Sequence, residues 1–175
     1  KGARSLNRGV LTILATLLDE MQLVHLSGAL DWPEVEAARA ALPAALAARY
    51  RAFPYLHEEM GAAYAAADLV LSRAGASAVG EFPLFCLPAV LVPYPYAWRY
   101  QRVNAEFLAR QGAAVVVAEA CEDAGLPARL LPTLQGLMRD SVKRNQMSAA
   151  MGALARPQAA QEIAGCVRRL AASLS

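Results

Sequence analysis

Asp68-Leu69-Val70-Leu71-Ser72 is a short apolar run that ends in Arg73-Ala74-Gly75-Ala76-Ser77 and continues through Ala78-Val79-Gly80-Glu81-Phe82 toward Phe85. A run this short, bounded by small residues, fits a buried strand better than a helix. The small residues permit a tight turn, and the residues after it have helical character. The same alternation extends outward in both directions. Leu23-Val24-His25-Leu26, Arg51 to Leu56, Pro88 to Pro93 and Ala113 to Val117 predict further short strands. Between them lie helical patterns: Val10 to Leu18, stopping near Glu20; an Ala-rich helix entered at Pro33 with Asp31 as N-cap and ending around Ala48; one opened by Glu58-Glu59 and running to Ala66; one from about Arg99 to Arg110; and everything beyond Leu126. Apolar strands without inside-outside alternation belong to parallel sheets covered on both faces. The expected class is therefore α/β, a Rossmann-like doubly wound parallel sheet with a helical C-terminal segment. In such sheets ligands bind beyond the carboxyl ends of the strands, which directs attention to the loops after Ser72 and Val92.

Composition narrows the function classes. The chain has 175 residues, 57% of them apolar and 18% charged, enough for one ordinary core without metal or disulfide support. Residues 1–175 read as a single domain, in which 125–175 form a helical tail. Seventeen basic against fifteen acidic residues leave a formal +2 with no basic run, so nucleic acid is not an expected partner. The longest uncharged stretch, Phe82 to Trp98, contains Pro83, Pro88, Pro93 and Pro95, which would break a spanning helix. Cys86, Cys121 and Cys166 are widely spaced and form no CxxC pattern, which predicts a reducing compartment and no zinc site. No charged segment followed by an apolar core and a small-residue cleavage site opens the chain, so a signal peptide is not expected.

Three constellations could carry chemistry. The turn from Ser72 into the helix of Glu81 would let backbone N–H groups meet an anion at a helix N-terminus. Glu81, further in, would repel phosphate and is suited to accept hydrogen bonds from neutral hydroxyls such as a ribose diol. On spacing alone, a plain strand-to-helix turn with an exposed Glu is the stronger reading, because a lone Gly-rich turn is weak evidence. In Val92 to Ala105, rigid prolines and aromatics precede Gln101 and Asn104, which share a helix face and offer amides suited to sugar hydroxyls. A packed aromatic corner with a solvated helix is the alternative. Lys1 to Asn7 places Gly2-Ala3 before a helix start, a possible second set of amides. His25, in an apolar strand, reads as a hydrogen-bonded core residue, and His57 as a surface cap or a backbone contact. No complete catalytic set, metal cluster or cofactor motif is present.

Gly2 to Asn7, Met60 to Val70 (MGAAYAAADLV), Ser72 to Glu81 and Pro93 to Ala105 together, in that order, resemble the C-terminal donor domain of the MurG family of bacterial glycosyltransferases. The resemblance implies one half of a GT-B fold, with the acceptor site and catalytic His in an N-terminal domain. It implies UDP-N-acetylglucosamine as donor and lipid I as acceptor, met through that other domain, in an inverting transfer that makes lipid II for peptidoglycan. It further implies a peripheral place on the inner face of the bacterial cell membrane, with membrane contact made by the intact protein. No metal, no cofactor and no catalytic residue is expected in this chain.

Carried over by position, Glu81 resembles the carboxylate that holds the ribose. Arg73, Gly75 and Ala76-Ser77-Ala78-Val79-Gly80 resemble the diphosphate cradle, and Gly2 the end of a glycine-rich turn whose Gly-Gly-Ser-Gln run and preceding strand are represented here by Lys1 only. Gln101 and Asn104 would read the sugar, and the main chain of His57 the uracil edge. Trp98-Arg99-Tyr100 departs from the family pattern, which leaves donor hexose selectivity open. The last helix, with Val167, Leu170 and Leu174, would cross toward the N-terminal half and expose an apolar stripe without it. Two other functions suit the same residues: a noncatalytic nucleotide-sugar-binding module, and a related GT-B transferase with another acceptor.

Overall fold

The computed structural model describes residues 3–95, 100–119 and 125–172. Its strands are β1 (Leu23–Leu26), β2 (Tyr50–Phe53), β3 (Val70–Ser72), β4 (Ala89–Leu91) and β5 (Ala114–Val116). Its helices are α1 (Arg4–Thr12), α2 (Leu14–Glu20), α3 (Trp32–Ala40), α4 (Ala44–Ala47), α5 (Met60–Ala65), α6 (Ala76–Leu84), α7 (Tyr100–Arg110), α8 (Leu126–Arg139), α9 (Ser141–Gly152) and α10 (Ala159–Ala172). Among the described residues the strand pairings are parallel, as the apolar runs of β3 and β4 predict. The strands form two ladders, β1-β2 and β3-β4-β5, and β1 and β3 are not hydrogen-bonded to each other.

The larger ladder is covered on both faces, and β4 shows why its sequence is apolar throughout. Val90 and Val92 face a core built with Leu6 and Val10 of α1 and Leu126, Leu130 and Leu134 of α8. Ala89 and Leu91 face the opposite core, built with Ala78 and Phe82 of α6 and Ala105 and Leu108 of α7. The smaller ladder has its own cluster, in which Tyr50 and Ala52 of β2 pack with Leu14, Leu18 and Val35. The doubly wound arrangement thus follows from side-chain alternation in buried strands.

Two expected boundaries and one expected cap are corrected. The helix predicted from Val10 to Glu20 breaks at Ile13, whose N–H donates to Val10 O at 3.1 Å in a tightened turn. Both segments serve two cores: Leu6, Val10 and Leu17 pack in one, while Leu11, Leu14 and Leu18 pack in or against the other. The helix expected to reach Ala48 ends at Ala40, because Pro43 has extended geometry and starts α4. Asp31 stands at the N-cap of α3 but its side chain makes no cap hydrogen bond, being held instead by Arg4 and Asn7.

Helices α6 and α7 end alike. Leu87 N–H donates to Phe82 O at 3.0 Å and Cys86 N–H to Pro83 O at 3.1 Å, with Cys86 at φ 50° where a glycine is usual. Gly112, at φ 76°, plays the same part after α7.

His25 is a buried core residue, as expected. Nδ1 lies 2.7 Å from Tyr50 Oη and Nε2 3.1 Å from Asn7 Oδ1. Burial lowers its pKa below the ordinary 6.5, with the nearby Asp31 charge pulling the other way. Between those values the unfolded chain binds more protons than the folded one, so this stability is whole above about pH 6.5 and is lost as pH falls toward the folded value. Thermal melts followed by circular dichroism should show the loss on acidification, and His25→Gln should flatten that part of the profile.

Candidate functional site

The start of α1 lies between the carboxyl ends of both ladders, held by side chains from each. Just after β1, Ser27 O accepts from Asn7 Nδ2 at 2.9 Å, and the same amide donates to Asp31 Oδ2 at 2.8 Å. Arg4 Nε adds a 2.8 Å bond to Asp31 Oδ1. Burial pushes the Asp31 carboxyl up, but the hydrogen bonds from Arg4 and Asn7 and the charges of Arg4 and Arg8 outweigh it and keep the group below its usual value. Asp31 is therefore a fixed anion that ties α3 to α1.

Just after β3, Arg73 makes the matching connection. Nη2 donates to Ser5 Oγ at 2.8 Å, and Nη1 donates to Val92 O at 3.1 Å and to the Glu119 carboxylate. The guanidinium also lies 5.3 Å from the centre of the Tyr94 ring. Arg73 and Glu119 are largely enclosed, with side chains 13% and 5% exposed. Arg73 thus joins the residues that follow β3, β4 and β5 to the first turn of α1.

The loop from β3 into α6 runs through Gly75, at φ −66° and ψ 178°, an extended conformation open to any residue. Apart from the adjoining residues and the local helix backbone, nothing lies within 4 Å of where a Cβ would stand on Gly75 or Gly80. These glycines therefore leave open space beside the backbone rather than permitting a strained turn. No side chain caps α6, so its first amides are not satisfied by a cap. Ala76, Ser77 and Gly80 are exposed, Val79 is half-buried, and Ala78 is packed into the core. Among these residues Ala78 can offer a ligand only its main chain.

Helix α7 fastens this region from the other side. Asn104 Nδ2 donates to Ala74 O at 3.0 Å, and Gln101 Oε1 accepts from Tyr94 N–H at 2.9 Å. The two amides share a face, as their spacing predicts, and each holds one of the two loops singled out in the sequence. Glu81, about one and a half turns into α6, is half-buried and accepts a 3.0 Å hydrogen bond at Oε2 from Tyr64 Oη. His57 is exposed between β2 and α5, its ring stacked on Tyr55 with centres 6.3 Å apart, and its carbonyl accepts from Met60 N–H at 3.3 Å. Gly2, Trp98 and Arg99 lie outside the described residues, while Tyr100 is exposed. Among the described residues no group of three His, Cys, Asp or Glu side chains could hold a metal ion. Arg73, Gly75 to Glu81, Gln101 and Asn104 are thus linked around one loop and helix start. The ring contact and hydrogen bond of His57 stay within its own segment, at Tyr55 and Met60.

Sequence patterns gave no role to Ser5, Asn7, Tyr64 or Glu119, which do much of the holding. Tyr64 had a usable signal, since a phenol within an Ala-rich helix must satisfy its hydroxyl. Glu119 follows an apolar strand at a loop and had none.

Residues 1–163 match the glycosyltransferase family 28 C-terminal domain. The chain belongs to this family. The family 28 domain is 39% identical over 94% of its length to a protein of Roseiflexus sp. named UDP-N-acetylglucosamine--N-acetylmuramyl-(pentapeptide) pyrophosphoryl-undecaprenol N-acetylglucosamine transferase, covering 40% of that protein. A relative of the same name in Chlorobium limicola is 37% identical over 98% of the chain and 45% of its own length. The chain therefore spans under half the length of these curated relatives. Among solved structures, the crystal structure of Acinetobacter baumannii MurG superposes with a TM-score of 0.78 at 30% identity, over 96% of this chain and 46% of that one. The spinosyn forosaminyltransferase SpnP, at 15% identity and a TM-score of 0.53, shares the fold. These likenesses bear out the Rossmann-like class and its assignment to the C-terminal half of a GT-B architecture.

Proposed function

We propose that the family 28 domain grips the nucleotide sugar of a transferase that moves N-acetylglucosamine from UDP-N-acetylglucosamine to lipid I, giving lipid II. The observation that carries this reading is Glu81, half-buried and oriented by Tyr64, on a helix whose uncapped start is held by Asn104 and Arg73. The names of the relatives supply the substrate class. A uridine diphosphate would lay its phosphates over the amides at the start of α6, where the helix dipole favours negative charge. Its ribose diol would donate to Glu81, which accepts only. Gln101 and Asn104 would reach the sugar with whatever capacity their loop contacts leave, and the main chain of His57 would serve the base.

In the reaction an acceptor hydroxyl attacks the anomeric carbon and the bond to the diphosphate breaks, inverting the configuration. Negative charge grows on the departing diphosphate. Amides already aimed at that position stabilise it without rearranging, and one such donor typically contributes a few kcal/mol. We assign the base and the lipid acceptor site to an N-terminal domain, and with them attachment to the inner face of the cell membrane. Among the described residues no helix is long and apolar enough to cross a membrane. Calorimetric titration with UDP and UDP-N-acetylglucosamine should give saturable binding with mutual competition, unchanged by a chelator. Absence of both heat and competition at millimolar ligand, on a folded sample, would overturn the proposal.

A further inference from the structure

Glu81 does not stand alone: its carboxylate is met by a phenol from a different helix. Tyr64 Oη, on α5, donates to Glu81 Oε2 at 3.0 Å. The Tyr64 ring is fixed by two neighbours, Phe82 edge-on with centres 5.6 Å apart and Phe85 tilted at 5.3 Å. Both phenylalanines belong to the end of α6, the helix that carries Glu81, so the ring and the carboxylate are referenced to the same element. A glutamate on a helix surface otherwise samples several rotamers, and ordering it is an entropic cost of binding. Burial, followed by the bond to Glu81, pushes the phenol up to about 12. Tyr64 is therefore a neutral donor throughout the physiological range.

Resting on the reading of Glu81 as the ribose acceptor, we infer that Tyr64 is a positioning residue that holds one carboxylate oxygen so that the other meets the ribose diol, and thereby sets the preference for ribose over deoxyribose nucleotides. The carboxylate has about four lone-pair directions. Tyr64 occupies one at Oε2 and fixes the plane of the group, which leaves Oε1 as the acceptor whose direction is set before the ligand arrives. A diol uses that direction. A sugar lacking both hydroxyls does not, so its affinity is indifferent to whether the carboxylate is held.

The test compares binding of UDP and 2′,3′-dideoxy-UDP to the 175-residue chain, its Tyr64→Phe variant and its Glu81→Ala variant. Tyr64→Phe keeps the ring that packs on Phe82 and Phe85 and removes only the hydroxyl. It should weaken UDP about five- to twentyfold, less than the full loss of a hydrogen bond to a charged group because Glu81 itself remains, and leave 2′,3′-dideoxy-UDP within about twofold. The selectivity ratio is the decisive readout, because a loss of folded protein lowers both affinities together and cancels. Glu81→Ala should bring UDP down to the level of the dideoxy nucleotide. If Glu81→Ala leaves UDP binding unchanged, the assignment of the ribose site is wrong and the role of Tyr64 falls with it. If Glu81→Ala removes the preference and Tyr64→Phe preserves it, the positioning role alone is wrong.

Discussion

Arg73→Ala is expected to destabilise the domain by about 3–5 kcal/mol, the usual cost of removing one partner from a buried ion pair. Glu119 would be left as a carboxylate only 5% exposed with its cation gone. The Val92 carbonyl and the Ser5 hydroxyl would lose a donor in the same step. In urea the midpoint should fall with the slope unchanged, since the surface exposed on unfolding is much the same. The paired change Arg73→Met with Glu119→Leu should recover much of the loss, because the penalty lies in the unpaired charge rather than in the absence of the pair. A cost below about 1 kcal/mol for Arg73→Ala, the range of an exposed bridge, would show that the guanidinium does not brace the strand ends. The surface pairs Arg8 with Glu34 and Arg102 with Glu106 offer the contrast, since both are well exposed and their removal should change little.

Glu81→Ala is expected to weaken UDP binding about ten- to a hundredfold, the loss of hydrogen bonds from two hydroxyls to one charged acceptor. The fold should tolerate it. Glu81 is half-buried, and its removal leaves Tyr64 Oη beside the opening, where water can replace the carboxylate. Glu81→Gln should fall between, since an amide retains one acceptor oxygen but has no charge. Titration of all three proteins with UDP, alongside thermal melts, separates a binding effect from a folding effect. An unchanged affinity in Glu81→Ala would place the nucleotide elsewhere.

Most strands were legible as short runs rich in apolar residues, and β4, buried on both faces, is the clearest case, whereas β2 exposes Arg51 between buried Tyr50 and Ala52. Helix ends were less so. The break at Ile13 is invisible in the pattern because the apolar residues keep helical spacing across it, with both segments reaching both cores. Around the site, the turn at Gly75, Glu81 and the shared face of Gln101 and Asn104 could be read from spacing. Their present partners could not. That Asn104 holds Ala74 O and that Gln101 holds Tyr94 N–H are long-range contacts, set by how α7 packs rather than by any local motif. Arg73 is a similar case: its place beside the loop proposed to hold the diphosphate suggests a ligand contact, while its enclosed pairing with Glu119 gives it a structural load as well.

The first turn of α1 is tied from two directions, by Asn7 to the Ser27 carbonyl after β1 and by Ser5 to Arg73 after β3. Loosening one tie alters the footing of the other, so their losses should not simply add, as is usual for neighbours in one network.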